Sequence, residues 1–305
     1  MNISSIFGQM LILFLTIGVG YLAAKARLVE GSFSKGLSSI VVNFSCPALI
    51  LHSVLATERV LTNAEVYKLT LLALLSYVLL FAAALVLPRL LRVPAPKRNV
   101  YRFLILFNNV GFMGFPVAEA IFGPDAVFFV AIFQIPFTAL CFTYGTWLIS
   151  DGRAGFSPKT FFSPILICTL LAYVLYLTGF QAPAFLVKLT DFVGSITSPA
   201  AMILVGAALA KVQLKEVFTD LRMYLLCLAK LIVLPLIGWV VLRLFVHNAL
   251  MLGILVVMLA MPTATNATIL AAQYDGDSDE CAKGVFLTTL LSVGTIPLLM
   301  AICFG

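Results

Sequence analysis

The chain has 305 residues, 62% of them hydrophobic and 10% charged, with a formal net charge of +6. A water-soluble globule of this mass would expose roughly 12,500 Å², and 19 Lys and Arg with 13 Asp and Glu are too few to keep that surface wet. The composition excludes an ordinary soluble domain and points to an integral membrane protein, because a spanning helix needs about 20 predominantly apolar residues.

Apolar runs between charged, Gly or Pro breaks predict spans near 5–24, 35–55, 66–88, 100–123, 126–149, 160–180, 184–210, 220–245, 249–274 and 281–304. The opening Met1-Asn-Ile-Ser-Ser5 lacks the basic start of a secretory signal, so the first run is read as a span. Ten spans place both termini on one side. The loops after spans one, three, five, seven and nine, with the span ends beside them, carry fourteen Lys and Arg, among them Lys159, Lys211 and Lys215; the opposite set carries Arg59, Lys68, Lys188 and Arg243. Basic residues stay on the cytoplasmic face. Both termini are therefore expected on the non-cytoplasmic side of a cell membrane, inner or plasma.

This loop charge accounts for the basicity, and no Lys/Arg block fits nucleic acid. Six scattered cysteines and two histidines show no ligand spacing, so no disulfide framework, metal or cofactor is implied.

The Gly/Ser/Pro segment from Ser150 to Pro158 divides the chain into a first five-helix repeat at 1–150, a cytoplasmic linker at 151–158 and a second repeat at 159–305. Phe44-Ser-Cys-Pro47-Ala corresponds to Ile196-Thr-Ser-Pro199-Ala, and Gln134-Ile-Pro136 to Thr295-Ile-Pro297. Five spans per half make the second copy enter from the opposite face. Such an inverted repeat is typical of secondary transporters.

Two spans are interrupted. The fourth contains Asn108, Asn109, Gly111, Gly114 and Pro116, and the ninth contains Pro262, Thr263, Thr265 and Asn266. Proline cannot donate to the helix ladder, and glycine takes the torsions that unwinding needs. Freed backbone survives in hydrocarbon only inside protein or beside a water-filled cavity. The breaks are therefore expected near the midplane, with two half-helix N-termini facing one cavity and suiting an anion. These nine residues are the expected substrate site.

Two ionisable residues are candidates for coupling or charge pairing. Lys230 lies near the middle of the eighth span and is expected to meet a substrate carboxylate or Glu119. Glu119 sits in the first turn after Pro116, where it would repel an anion unless protonated during transport; a structural cap is the alternative. His52 and Asp191 lie toward outer span ends, and Asn43 and Ser45 are placed to bond between helices. Asp275-Gly-Asp277-Ser-Asp279-Glu280 has its glycine in the wrong place for a calcium loop and reads as a turn with an N-cap.

On Asn108-Asn-Val-Gly-Phe-Met-Gly-Phe-Pro116, Pro262-Thr-Ala-Thr-Asn266 and Ala271-Ala-Gln-Tyr274, the chain resembles the auxin efflux carrier family, including bacterial relatives associated with malonate, malate and similar acids. The resemblance implies an all-α membrane fold of ten helices in two inverted repeats, with crossing broken helices four and nine. It also implies an elevator in which helices three to five and eight to ten move against a scaffold of one, two, six and seven. Plant members carry a proline where Ala267 stands here. The expected function is secondary transport of a small organic anion, with proton or sodium coupling and a homodimer left open. A sodium-coupled carrier of the bile-acid type and a non-transporting receptor are the alternatives. An enzyme is not expected, since no GxSxG or paired intramembrane aspartates occur.

Overall fold

A computed structural model describes residues 3–29, 31–56, 61–153, 162–210 and 220–304. Residues 154–158 of the expected linker, and Arg59, Lys159, Lys211 and Lys215, lie outside the described residues. Twelve helices are described: α1 (Ile3–Lys25), α2 (Ser32–Leu55), α3 (Asn63–Leu90), α4 (Arg98–Leu106), α5 (Val110–Phe122), α6 (Ala126–Ile149), α7 (Pro164–Thr178), α8 (Ala184–Leu209), α9 (Leu221–Leu242), α10 (Ala249–Ala260), α11 (Asn266–Gln273) and α12 (Ser278–Phe304). Helices α2, α3, α6, α8, α9 and α12 are long and apolar enough to cross a membrane, and α5, α7, α10 and Leu11–Lys25 of α1 are shorter apolar helices. The chain is an all-helical, multi-pass membrane protein.

Local chemistry sets many of the helix ends. Thr62 and Glu65 close a reciprocal capping box at the start of α3, Ser163 caps α7 ahead of Pro164, and Asn248 caps α10. Gly179, at φ 68°, stops α7 in the left-handed conformation that a side chain would disfavour. The turn at 275–280 behaves as expected: Asp277 Oδ1 accepts from Glu280 N–H (3.0 Å). Glu280 also receives a hydrogen bond from Lys97 (2.6 Å), which holds that ammonium above its ordinary range and ties α12 to the segment before α4.

Three prolines inside apolar helices follow a widened turn. Val41–Ser45 precedes Pro47, Val110–Gly114 precedes Pro116, and Ala229–Val233 precedes Pro235. The ring of a proline clashes with the carbonyl four residues earlier, and a π-turn moves that carbonyl aside without ending the helix.

The innermost elements are α4, α10 and the first half of α6, with Phe103–Phe107 and Val256–Ala260 fully or almost fully buried. Large apolar side chains exposed on α1, α3, α7, α8 and α9 supply a lipid-compatible outer surface. Small residues fix the closest backbone approaches. A Cβ on Gly206 of α8 would lie 2.0 Å from Ile17 O of α1, one on Gly20 of α1 would lie 2.3 Å from Ile203 O, and one on Gly194 would lie 2.9 Å from the Leu49 backbone of α2. A second set joins Gly145 to Phe103 and Phe107, Gly238 to Leu259, Gly253 to Phe122, Gly276 to Ile149 and Gly284 to Leu104. Among the described residues, each glycine approach under 3.0 Å falls within α1, α2 and α8 or within α3–α6 and α9–α12.

The α1–α8 seam has no room for a side chain at Gly206, whereas a Cβ on Gly18 would meet nothing within 4 Å. Gly206→Val should cost about 3 kcal/mol and lower the unfolding midpoint in detergent, with Gly18→Val close to wild type. Equal midpoints would contradict the seam.

Candidate functional site

The two interruptions cross. The residues between α4 and α5 and those between α10 and α11 pair antiparallel at Asn108 and Thr263. Asn109 N–H donates to Pro262 O (2.7 Å) and Ala264 N–H to Phe107 O (2.9 Å). Unwound backbone thus hydrogen-bonds to unwound backbone, which removes much of the cost of breaking a helix in hydrocarbon.

Four helix ends meet here, two C-terminal and two N-terminal. The C-terminal ends are supplied with donors by side chains. Thr263 Oγ1 donates to Leu104 O (2.8 Å) and Lys230 Nζ to Ile105 O (3.0 Å), both at the end of α4. Asn108 Nδ2 donates to Met258 O (2.6 Å) and Leu259 O (3.2 Å) at the end of α10. Lys230 Nζ also donates to Asn108 Oδ1, and Thr288 Oγ1 accepts from Thr263 N–H (3.1 Å). Asn108, Thr263 and Lys230 are fully buried.

The N-terminal ends face a cavity. Asn109 caps α5, its Oδ1 accepting from Phe112 N–H (3.3 Å), and its buried Nδ2 has no partner among the described residues. Asn266 opens α11; the next two N–H groups, of Ala267 and Thr268, donate to Ala264 O (3.1 Å) and Thr265 O (3.2 Å), and the positive end of the helix dipole faces the cavity. Asn109, Gly111, Phe112 and Asn266 line a cavity of about 410 Å³, closed on its other sides by Gln134, Thr138 and Thr146 of α6, Gln273 and Tyr274, and residues of α2 and α7 that include Ser38, Cys46 and Ser163. Gln134 Nε2 donates to Thr138 Oγ1 (3.3 Å), leaving its buried Oε1 without a partner among the described residues. Arg153 stands at the rim, 3.4 Å from Tyr274 O and Asp275 O.

Of the nine expected substrate residues, the structure brings Asn109, Gly111 and Asn266 to this cavity. Asn108 and Thr263 serve the helix ends instead. Pro262 is part of the crossing strand, Pro116 is buried within α5, and Gly114 packs on Met258, where a Cβ would lie 3.2 Å from the sulfur. Thr265 opens onto a second cavity of about 630 Å³, shared with Thr268, Lys35 and Asp279. The expected pairing of Lys230 with Glu119 is not formed, because Lys230 is engaged by α4. Glu119 Oε2 accepts from Ser198 Oγ of α8 (2.9 Å). His52 meets Asp191 at 3.6 Å. Asn43 bonds Ser39 within its own helix (3.0 Å), and the buried Ser45 hydroxyl has no partner among the described residues. Neither makes the expected bond between helices.

Gln134, Thr138 and Thr146 are the functional candidates that sequence reasoning missed. The signal was present: Gln134 is the sole side-chain amide within Ala126–Leu140.

The adjacent asparagines have opposite consequences. Asn108→Ala strips two carbonyls and Lys230 of a partner and should cost about 3 kcal/mol, whereas Asn109→Ala loses one cap and should cost about 1 kcal/mol. Thermal unfolding of both variants in detergent checks this, and a smaller loss at Asn108 would contradict the assignment.

A family described as "Membrane transport protein" matches residues 5–300. A protein of Rhizobium meliloti named "Putative malonate transporter" is 26% identical over 96% of this chain and 94% of its own length. An uncharacterized transporter of Methanocaldococcus jannaschii is 25% identical, over 94% of this chain and 96% of its own length. Another, from Escherichia coli K12, is 24% identical over 95% of each. The chain belongs to the membrane transport protein family of the auxin efflux carriers, and it is a transporter rather than an enzyme.

Proposed function

We propose that the chain is a secondary transporter for a small organic anion, a mono- or dicarboxylate, working by elevator-type alternating access. The observation that carries this reading is the convergence of two half-helix N-termini and the unpaired Asn109 amide on one cavity between two sets of helices. Helix N-termini favour negative charge, and the unpaired amide nitrogen seeks an acceptor. The malonate in the name of the Rhizobium meliloti relative agrees with such a substrate.

Counting α4 with α5 and α10 with α11 as single broken spans gives ten, in two inverted five-helix repeats with both termini outside a cell membrane. The glycine approaches support two bodies: α1, α2 and α8, which with α7 form the proposed scaffold, and α3–α6 with α9–α12, the proposed transport body. Strain concentrates where atoms cannot give way, so bodies joined by close packing at glycine move as units while the surface between them slides. The cavity lies on that surface, walled by Ser38 and Ser163 on the scaffold side and by Asn109, Gln134 and Asn266 on the other. It reaches the face that bears Thr146, Ser163 and Tyr274, the cytoplasmic one in this orientation. Toward the opposite face, Glu119 of the transport body bonds Ser198 of the scaffold. Protonation of Glu119 alters that contact, and with it the free energy of sliding, which is a route for proton coupling.

Counterflow of labelled malonate and related acids into proteoliposomes tests transport directly. Asn109→Ala and Asn266→Ala should each reduce it by about 100-fold or more with the fold retained; wild-type counterflow in both variants would place the site elsewhere. Glu119→Gln should flatten the pH dependence of uptake. Unchanged pH dependence, or uptake that requires sodium, would remove Glu119 from coupling.

A further inference from the structure

Among the described residues, the lining of the cavity between the two bodies contains no Asp, Glu, Lys, Arg or His side chain, and the helix ends then set the charge it favours. Each helix end carries about half an elementary charge, positive at the N-terminus and negative at the C-terminus. At the crossing, the C-terminal ends of α4 and α10 together amount to about one negative charge. Lys230 is placed against them directly through Ile105 O and through Asn108, which bonds α10. The N-terminal ends of α5 and α11 remain, about one positive charge in total, and they open on the cavity through Gly111 and Asn266. The other charged groups nearby among the described residues are Arg153 at the rim, Lys35 and Asp279 in the second cavity, which shares Ser38, Phe112 and Ile269 with this one, and Glu119 bonded to Ser198.

Two buried, unpartnered side-chain atoms point to what fills the space. Among the described residues, Asn109 Nδ2 is a donor without an acceptor, and Gln134 Oε1 an acceptor without a donor. Asn109 is 2% exposed and Gln134 6%. A ligand with an ionised carboxylate at one end and a hydrogen-bond donor at the other satisfies both. A second ionised carboxylate would face Gln134 Oε1, itself an acceptor, with no opposite charge among the described lining residues, and a charge so placed is costly.

We infer that the cavity binds organic acids as monoanions, taking a dicarboxylic acid in its singly protonated form, with the carboxylate at Asn109 and Asn266 and the acid hydroxyl at Gln134. This rests on the reading of the chain as an organic-anion transporter. It also gives the transporter a proton that travels on the substrate rather than on a side chain.

The test measures binding to the purified full-length chain in detergent, with malonate, monomethyl malonate and dimethyl malonate as probes, across a pH range spanning the second ionisation of malonic acid. The monomethyl ester carries one charge throughout that range but lacks the acid hydroxyl, and should bind with nearly constant affinity, below that of singly protonated malonate. Malonate should weaken about tenfold per pH unit above its second ionisation, because only the shrinking singly protonated fraction is competent. The neutral diester should bind at least tenfold more weakly than the monoester. Gln134→Lys, which adds a cation at the distal end, should make malonate binding insensitive to pH over the same range. Malonate affinity in the wild-type chain that holds constant or rises with pH would overturn the inference while leaving the transport reading intact. Failure of both malonate and its monoester to bind at any pH would overturn the transport reading for this class of acid, and the inference with it.

Discussion

Hydrocarbon does not tolerate an unpaired peptide group, and two helices broken within a lipid-spanning fold generate four bare ends at once. The crossing resolves this unevenly. Short antiparallel pairing at Asn108 and Thr263 absorbs some of the backbone groups, and Lys230, Asn108 and Thr263 supply donors to the carbonyl ends of α4 and α10. The amide ends of α5 and α11 open on a cavity instead. The crossing is thus finished by side chains on its negative ends while its positive ends face a cavity, and the proposal of an anion site rests on that asymmetry.

The surroundings follow from where that cavity lies. Glycines at 20, 194 and 206 let α1, α2 and α8 meet backbone to backbone, while around the crossing glycines at 145, 238, 253 and 284 receive large side chains and Gly276 meets the Ile149 backbone. The cavity falls between these two tightly joined regions, with softer contacts such as Glu119 to Ser198 spanning the division. A site built on one rigid region and walled by the other can change its exposure without being dismantled. In this account the broken helices supply affinity, and the glycine seams determine what moves.

Much of this was legible in the amino-acid order. Pro116 and Pro262, flanked by amides and small residues in otherwise apolar runs, marked the breaks, and Asn109, Gly111 and Asn266, three of the nine residues expected at the substrate site, line the cavity. Composition alone required the membrane. What the order could not supply was direction. Asn108 and Asn109 lie on non-helical chain between α4 and α5, where neighbouring side chains point to opposite sides, so one turns inward to α10 and the other outward to the cavity. Sequence gave them the same standing. Lys230 was recognisable as costly and internal, but its partners are the Ile105 carbonyl and the Asn108 side-chain oxygen, and no sequence pattern reveals a backbone acceptor. Gln134 was overlooked because a lone amide in an apolar helix looks like one more interhelical bond until its unpaired oxygen is seen beside the cavity.

The central claim is that an organic anion sits where the two half-helix N-termini meet, and locating a heavy-atom-labelled ligand tests it most directly. Anomalous diffraction from crystals of the full-length chain grown with a bromine-substituted carboxylic acid should give one bromine peak inside the cavity between α2, α6 and α11, with the carboxylate at Asn109 and Asn266. A peak confined to the neighbouring space beside Lys35 and Asp279, with the crossing unoccupied, would contradict the account.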